Sequence, residues 1–241
     1  MEKLNKVLVI PDVHGRTFWK DAVEKHYDEV DKVIFLGDFH DPYEFEGITK
    51  KMSMDNFHEV IDWIKEHKEK TIMLIGNHDC QYIFPTFDTR SRLDKKNMRD
   101  IYNMFNRLYG TWKLAYECQI GDKPYMFSHA GLTKSWCHLE RDIIGELTVE
   151  NLNKLVETHR GIAALTDLSK YRSFFGGDKT GSIVWSDYRE REEDEKENFG
   201  EWYQVFGHTR QEEEEPVITD KWACLDCRLA FIIDEEGIKK A

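Results

Sequence analysis

The chain has 241 residues, 40% hydrophobic and 13% aromatic, which is enough for a buried core and too apolar for a disordered chain. Its 34 basic and 46 acidic residues give a net charge of −12, which argues against general nucleic-acid binding but leaves room for a local basic pocket. No run approaches the roughly 20 apolar residues that span a membrane, and Met1–Lys6 lacks the apolar stretch of a signal peptide, so the expectation is a cytoplasmic protein.

Lys6–Ile10 is a continuous apolar run and predicts a strand buried on both faces. The pattern recurs at Lys32–Leu36, which stops at Gly37, and at Thr71–Ile75, which stops at Gly76. Thr17–Tyr27 predicts a helix between the first two runs. Ser53 predicts the cap of a second helix, with Met54, Phe57, Val60, Ile61 and Ile64 on one face. Strand, helix, strand, helix, strand is the pattern of a mostly parallel sheet, whose ligands lie beyond the carboxyl ends of its strands.

Met98, Ile101, Tyr102, Phe105, Leu108 and Tyr109 predict another helical face. Pro124–Phe127 and Trp202–Phe206 are strand-like, and Thr219–Ile233 predicts two strands in a hairpin around Cys227-Arg228. The stretch 135–200 predicts a mainly helical insertion or cap within a single domain spanning 1–241. The runs Glu190–Glu197 and Glu212–Glu215 predict solvated segments. Five cysteines at irregular spacing do not make a disulfide framework, and Cys224-x-x-Cys227 lacks the second pair of a zinc site.

The chemistry collects after five predicted strands: Asp12-Val-His14, Gly37-Asp38-Phe-His-Asp41, Gly76-Asn77-His78-Asp79, Ser128-His129-Ala-Gly131 and Gly207-His208-Thr209. Any one of these could be an ordinary turn. Five in succession at one sheet edge, offering carboxylate, imidazole and amide oxygen, suit divalent transition metals such as Mn²⁺, Fe or Zn²⁺. The glycines permit sharp turns and close approach.

These five motifs resemble the calcineurin-like metallophosphoesterase superfamily. They are most similar to its bacterial and phage-type serine/threonine phosphoprotein phosphatases and to the symmetrical dinucleoside-tetraphosphate hydrolases. Ile183-Val-Trp-Ser-Asp187 resembles a further phosphatase segment. The resemblance implies an α/β fold with mixed central sheets in a β-sandwich flanked by helices. It implies two divalent metal ions, most simply Mn²⁺, with Fe, Zn²⁺ or Ni²⁺ as alternatives. Asp12 and His14 would bind the first ion, Asp38 would bridge, and Asn77, His129 and His208 would bind the second. His78 would be the general acid, oriented by Asp41.

The chain departs from the family after Asp41, where an Arg-Gly pair that grips substrate phosphate is replaced by Pro42-Tyr43. Arg189 and Arg172 are the substitute cations expected from sequence, with Arg189 preferred. His40 reads as a solvent-facing loop residue. The implied activity is hydrolysis of a phosphorylated substrate (a phosphoprotein, phosphate ester or nucleotide), most simply a phosphomonoester. The alternatives are hydrolysis of a dinucleoside polyphosphate or a cyclic phosphodiester, and a non-catalytic scaffold, which the intact ligand set disfavours.

Overall fold

The computed structural model describes residues 1–87, 92–171, 180–194 and 201–241. In chain order its strands are β1 (Glu2–Leu4), β2 (Lys6–Ile10), β3 (Lys32–Phe35), β4 (Thr71–Leu74), β5 (Trp112–Lys113), β6 (Ala115–Ile120), β7 (Lys123–Ser128), β8 (Tyr203–Phe206), β9 (Val217–Ile218), β10 (Trp222–Cys224), β11 (Phe231–Asp234) and β12 (Gly237–Lys240). They form two mixed six-stranded sheets, ordered β1-β6-β7-β8-β10-β9 and β12-β11-β2-β3-β4-β5. In the second sheet β2 to β5 run parallel and β11 runs antiparallel to β2.

The continuous apolar runs follow from two-sided burial. Val7, Val9, Ile34, Leu36 and Leu74 point between the sheets, where they meet Phe127, Val205 and Ile233. Their alternates Leu8, Ile10, Val33, Phe35 and Met73 point the other way, into the core under the helices. Each side chain so buried contributes about 1.5–3 kcal/mol. β6 instead alternates, with Tyr116, Cys118 and Ile120 buried and Glu117 and Gln119 partly exposed, so it carries no continuous apolar run. It lies antiparallel to β7, with Cys118 opposite Tyr125.

Helices α1 (Phe18–His26) and α2 (Lys50–Glu66) cover the second sheet through Trp19, Val23, Phe57, Val60, Ile61 and Ile64. The cap of α2 is Thr49, whose hydroxyl accepts from Met52 N–H at 3.2 Å. Ser53 lies inside the helix, buried, with its hydroxyl 2.8 Å from His40 Nδ1. Helix α3 (Asn77–Ile83) follows β4 at once, and α4 (Met98–Arg107) follows it. The buried face of α4 carries Ile101, Met104 and Phe105, while Met98 and Tyr102 face solvent. Tyr109, beyond the end of α4, is exposed as well.

The described part of 135–200 is mainly helical: α5 (Lys134–Leu139), α6 (Arg141–Ile144), α7 (Val149–Lys154), α8 (His159–Ala164) and α9 (Tyr188–Asp194). Threonines 133, 148 and 158 cap α5, α7 and α8 with their hydroxyls. The region serves two places. Asn153 of α7 binds the start of β6, accepting from Leu114 N–H at 2.8 Å, whereas Ile183 O accepts from Ala130 N–H at 3.0 Å, next to His129. Two expectations are corrected here. The first residues of the acidic run are buried, because Glu190 accepts from Asp187 N–H at 3.1 Å and Arg191 donates to Leu132 O at 2.6 Å. The terminal hairpin is β11–β12, turning at Glu235 and Glu236. The segment around Cys227-Arg228 instead carries the chain from one sheet to the other.

Candidate metal centre

Asp12 and His14 follow β2, Asp38 follows β3, Asn77 and His78 open α3, His129 follows β7 and His208 follows β8. Strand register brings them together. Ile10 pairs with Phe35, and Leu36 N–H donates to Ile10 O at 2.9 Å, so Asp12 and Asp38 emerge side by side. In the other sheet Phe127 pairs with Val205, and Gly207 N–H donates to His129 O at 2.8 Å. The sheets meet where His129 Nδ1–H donates to Leu36 O at 2.9 Å and His208 N–H donates to the Asp12 carboxylate at 3.0 Å.

The loops are bent into conformations that side chains resist. Six non-glycine residues have positive φ among the described residues, and four belong to this centre: His14 (45°), Asp38 (54°), Asp41 (58°) and His208 (64°). Each such residue costs on the order of 1–3 kcal/mol, which surrounding contacts must offset. Glycine is needed at two close approaches. A Cβ on Gly76 would collide with Asp38 Oδ1, and one on Gly207 would collide with Asp12 Oδ2.

His129, through the Leu36 contact, and His14, whose Nδ1–H donates to His40 O at 2.9 Å, each use one ring nitrogen on a backbone carbonyl. In a neutral ring the other nitrogen, Nε2, then presents a bare lone pair. Both Nε2 atoms face the same carboxylate oxygen, Asp38 Oδ2, at 3.4 Å each. His129 Nε2 also lies 3.0 Å from Asn77 Oδ1 and 3.1 Å from His208 Nδ1. Two buried donor groups result, His14–Asp38–His78 and Asp38–His129–His208, with Asp38 in both. Burial, reinforced by His78, Arg92 and Arg16, holds His14 well below the usual imidazole range, so it stays neutral. Burial, reinforced by Asp12, pushes the Asp38 carboxyl up to about 7. Lone pairs aimed at one another in a dry site fit divalent cations between them.

His78, in the first of these groups, is held by a side chain rather than by the backbone. Its Nδ1–H donates to Asp41 Oδ2 at 2.9 Å, and Asp41 also accepts from Gln81 Nε2 and from the Tyr82 hydroxyl. Asp79 had no role assigned from sequence. Its carboxylate accepts from Asp38 N–H at 2.7 Å, Phe39 N–H at 3.1 Å and Gly76 N–H at 2.8 Å, fastening the loop after β3 to that after β4. His40 is buried rather than solvent-facing, with Nε2 3.3 Å from Asp94 Oδ2.

Arg189 forms a two-pronged pair with Asp187, at 2.8 and 2.9 Å, and lies 4.4 Å from the Tyr171 ring. Arg172 lies outside the described residues. Arg92, passed over in the sequence, reaches the centre instead. Its Nη2 donates to His78 Nε2 at 3.2 Å, its Nε donates to Asp41 O at 3.2 Å, and its guanidinium lies 3.6 Å from the Tyr43 ring centre. Arg210 and Arg16 also flank Tyr43, at 4.8 and 5.3 Å. Both pair with Glu46: Arg16 at 2.7 and 3.0 Å, Arg210 at 2.8 Å. The cue in the sequence is a pair of basic residues, Arg90 and Arg92, soon after the Asn77-His78 motif in an otherwise acidic chain.

A model of the calcineurin-like phosphoesterase family matches residues 5–233. The chain belongs to that family. Members of this family are metal-dependent hydrolases that typically use a dinuclear centre, and this chain has His and Asp groups that could hold a metal ion. No curated protein matches its sequence. The fold is similar to that of a cold-active protein-tyrosine phosphatase of a psychrophile, Shewanella sp. (TM-score 0.55, 15% identity, covering 98% of this chain and 77% of that one). A second structure of cold-active protein tyrosine phosphatase gives a TM-score of 0.56 at 15% identity, with 98% and 76% coverage. A serine/threonine phosphatase from Saccharomyces cerevisiae is more distant, with a TM-score of 0.49 at 12% identity and 98% and 79% coverage. No helix among the described residues of this calcineurin-like phosphoesterase is long and apolar enough to cross a membrane.

Proposed function

We propose that the chain hydrolyses phosphate monoesters, in the manner of a serine/threonine phosphatase, using two divalent ions, most simply Mn²⁺. The observation that carries this reading is the position of Asp38 Oδ2, equidistant at 3.4 Å from the Nε2 atoms of His14 and His129. Asp12, His14 and Asp38 would hold one ion, and Asp38, Asn77, His129 and His208 the other. When bound, such ions lower the pKa of water and offset charge on the phosphoryl oxygens.

The chain's own groups would do the rest. Arg92 grips the phosphoryl oxygens from the Tyr43 wall, taking the place of the arginine absent after Asp41. In the present arrangement Arg92 donates to His78 Nε2, so that atom is an acceptor. A phosphate that draws Arg92 away leaves His78 Nε2 free to carry a proton to the leaving oxygen, while Asp41 fixes the ring through Nδ1. Five free cysteines, four of them buried, suit a reducing cytoplasm.

The test is a substrate panel with the metal-loaded chain: a phosphopeptide, p-nitrophenyl phosphate, bis-p-nitrophenyl phosphate, a dinucleoside tetraphosphate and a cyclic nucleotide. Turnover of the monoesters, lost on chelation and in His78→Ala, is the expected result. Turnover confined to a diester or the dinucleoside polyphosphate moves the assignment to that class, and turnover that survives chelation removes the mechanism.

A further inference from the structure

On the helical face of the second sheet, residues of α1 and α2 line an open groove of about 610 Å³. Its floor is aromatic. Trp63 stacks on His67 with ring centres 4.4 Å apart, Tyr27 stands edge-on to both at 5.7 and 4.7 Å, and Trp19 meets Trp63 at 6.2 Å. Trp19 is fixed from beneath, its Nε1–H donating to Asn56 Oδ1 at 3.1 Å. These rings are therefore held in place before any ligand arrives.

The rim is acidic on both sides, with Glu24 and Asp28 on one and Glu59, Asp62 and Glu66 on the other. Five carboxylates stand against one ammonium, that of Lys20, which pairs with Glu59. Asp62 has Lys65 at 3.3 Å, whereas Glu24, Asp28 and Glu66 have no ion pair among the described residues. The chain's own lysines already use the floor for cation–ring contacts: Lys70 Nζ lies 4.5 Å from the centre of Tyr27, and Lys20 Nζ lies 5.9 Å from that of Trp19.

Charge and ring chemistry select the occupant. An anionic ligand would meet the rim carboxylates, and an apolar one would strip them of water without pairing them. A basic segment satisfies both parts, with a cation over an aromatic face and its neighbours on the free carboxylates. We propose that this groove docks a lysine- and arginine-rich peptide segment of a partner protein, one basic side chain lying over Trp63 and others reaching Glu24, Asp28 and Glu66. The proposal stands apart from the hydrolytic reading, because none of its residues belongs to the metal centre.

Calorimetric titration of the full chain with a short amidated peptide of alternating lysine and arginine tests it. Saturable one-to-one binding is expected, weakening as salt is added. The exposed pair of charge reversals Glu24→Lys and Glu66→Lys should weaken it about tenfold or more, as loss of two opposed charges demands. Trp63→Ala should weaken it by a smaller factor. Since Trp63 is partly buried and that variant could unfold, the surface reversals carry the decision. Peptide binding that is absent, or equally tight in the reversed variant, overturns the proposal. Tetramethylammonium binding as tightly as the peptide also overturns it, in favour of a small-cation site.

Discussion

Two parts of the metal centre are held by different means. In the ion-facing part, His14 and His129 are each anchored to a backbone carbonyl, of His40 and Leu36, and Asp79 fastens the neighbouring loops after β3 and β4. In the wall beside it, His78 is anchored by a side chain, Asp41, which is itself held by Gln81 and Tyr82, and His78 is covered by Arg92. Backbone anchors move only with the sheet, whereas side-chain anchors can exchange partners when a substrate enters. The first arrangement suits ligation and the second suits proton transfer and phosphate recognition.

Substitutions test that contrast most sharply at its extremes. Asp38→Asn keeps the shape of the shared ligand and removes its charge. It should abolish phosphatase turnover and lower the bound metal found by elemental analysis, and full metal content with normal turnover would break the ion-facing half of the comparison. His78→Ala should leave metal content unchanged and lower kcat by about 10²–10⁴-fold. Arg92→Ala should act mainly on KM, by about 10–100-fold, the effect of losing a charge-assisted hydrogen bond of about 1.5–3 kcal/mol, with partial recovery in Arg92→Lys. Arg189→Ala, whose guanidinium is committed to Asp187, should change kcat/KM by less than about threefold, because that guanidinium is engaged away from the His78 side of the centre. A reversed order of the two arginines would move phosphate recognition to the Asp187 segment.

A pH series separates the two parts in another way. The metal-free Asp38 carboxyl is raised to about 7, so its contribution to stability is present at acid pH and lost as pH rises through that value. Binding a cation requires the ionised form, and below that pH binding releases a proton. The rise in melting temperature on adding Mn²⁺ should therefore grow from about pH 6 to about pH 8. A rise that is flat across this range would show that Asp38 does not ligate.

The parallel strands and the gathering of Asp, His and Asn side chains at one place were legible because both are written locally. A doubly buried strand must be apolar at every position, as in Val7 to Ile10, and each metal-facing residue lies within a few positions of such a strand's end. Residues that act across the fold were not legible. Arg92 follows α3 at no recognisable spacing, and its closeness to His78 is a matter of the tertiary fold. Asp79 looks like a helix-capping residue and is also the fastening between two loops. Ser53 was assigned to a helix start because serine favours caps, yet Thr49 is the cap and Ser53 holds His40. The terminal hairpin was misplaced because hydropathy does not show which sheet a strand joins.

Glu46 gives the centre a mechanical property. Arg16 lies two residues past His14 and Arg210 two past His208, so one carboxylate grips loops that spring from opposite sheets. Stacked sheets resist separation well but can shear past each other, since apolar contacts between them have no direction. A directional charged strap across the seam removes that sliding freedom where two half-sites must stay aligned. The spacing between the two sets of candidate ligands is thereby set from outside the cluster, by a carboxylate that belongs to neither set.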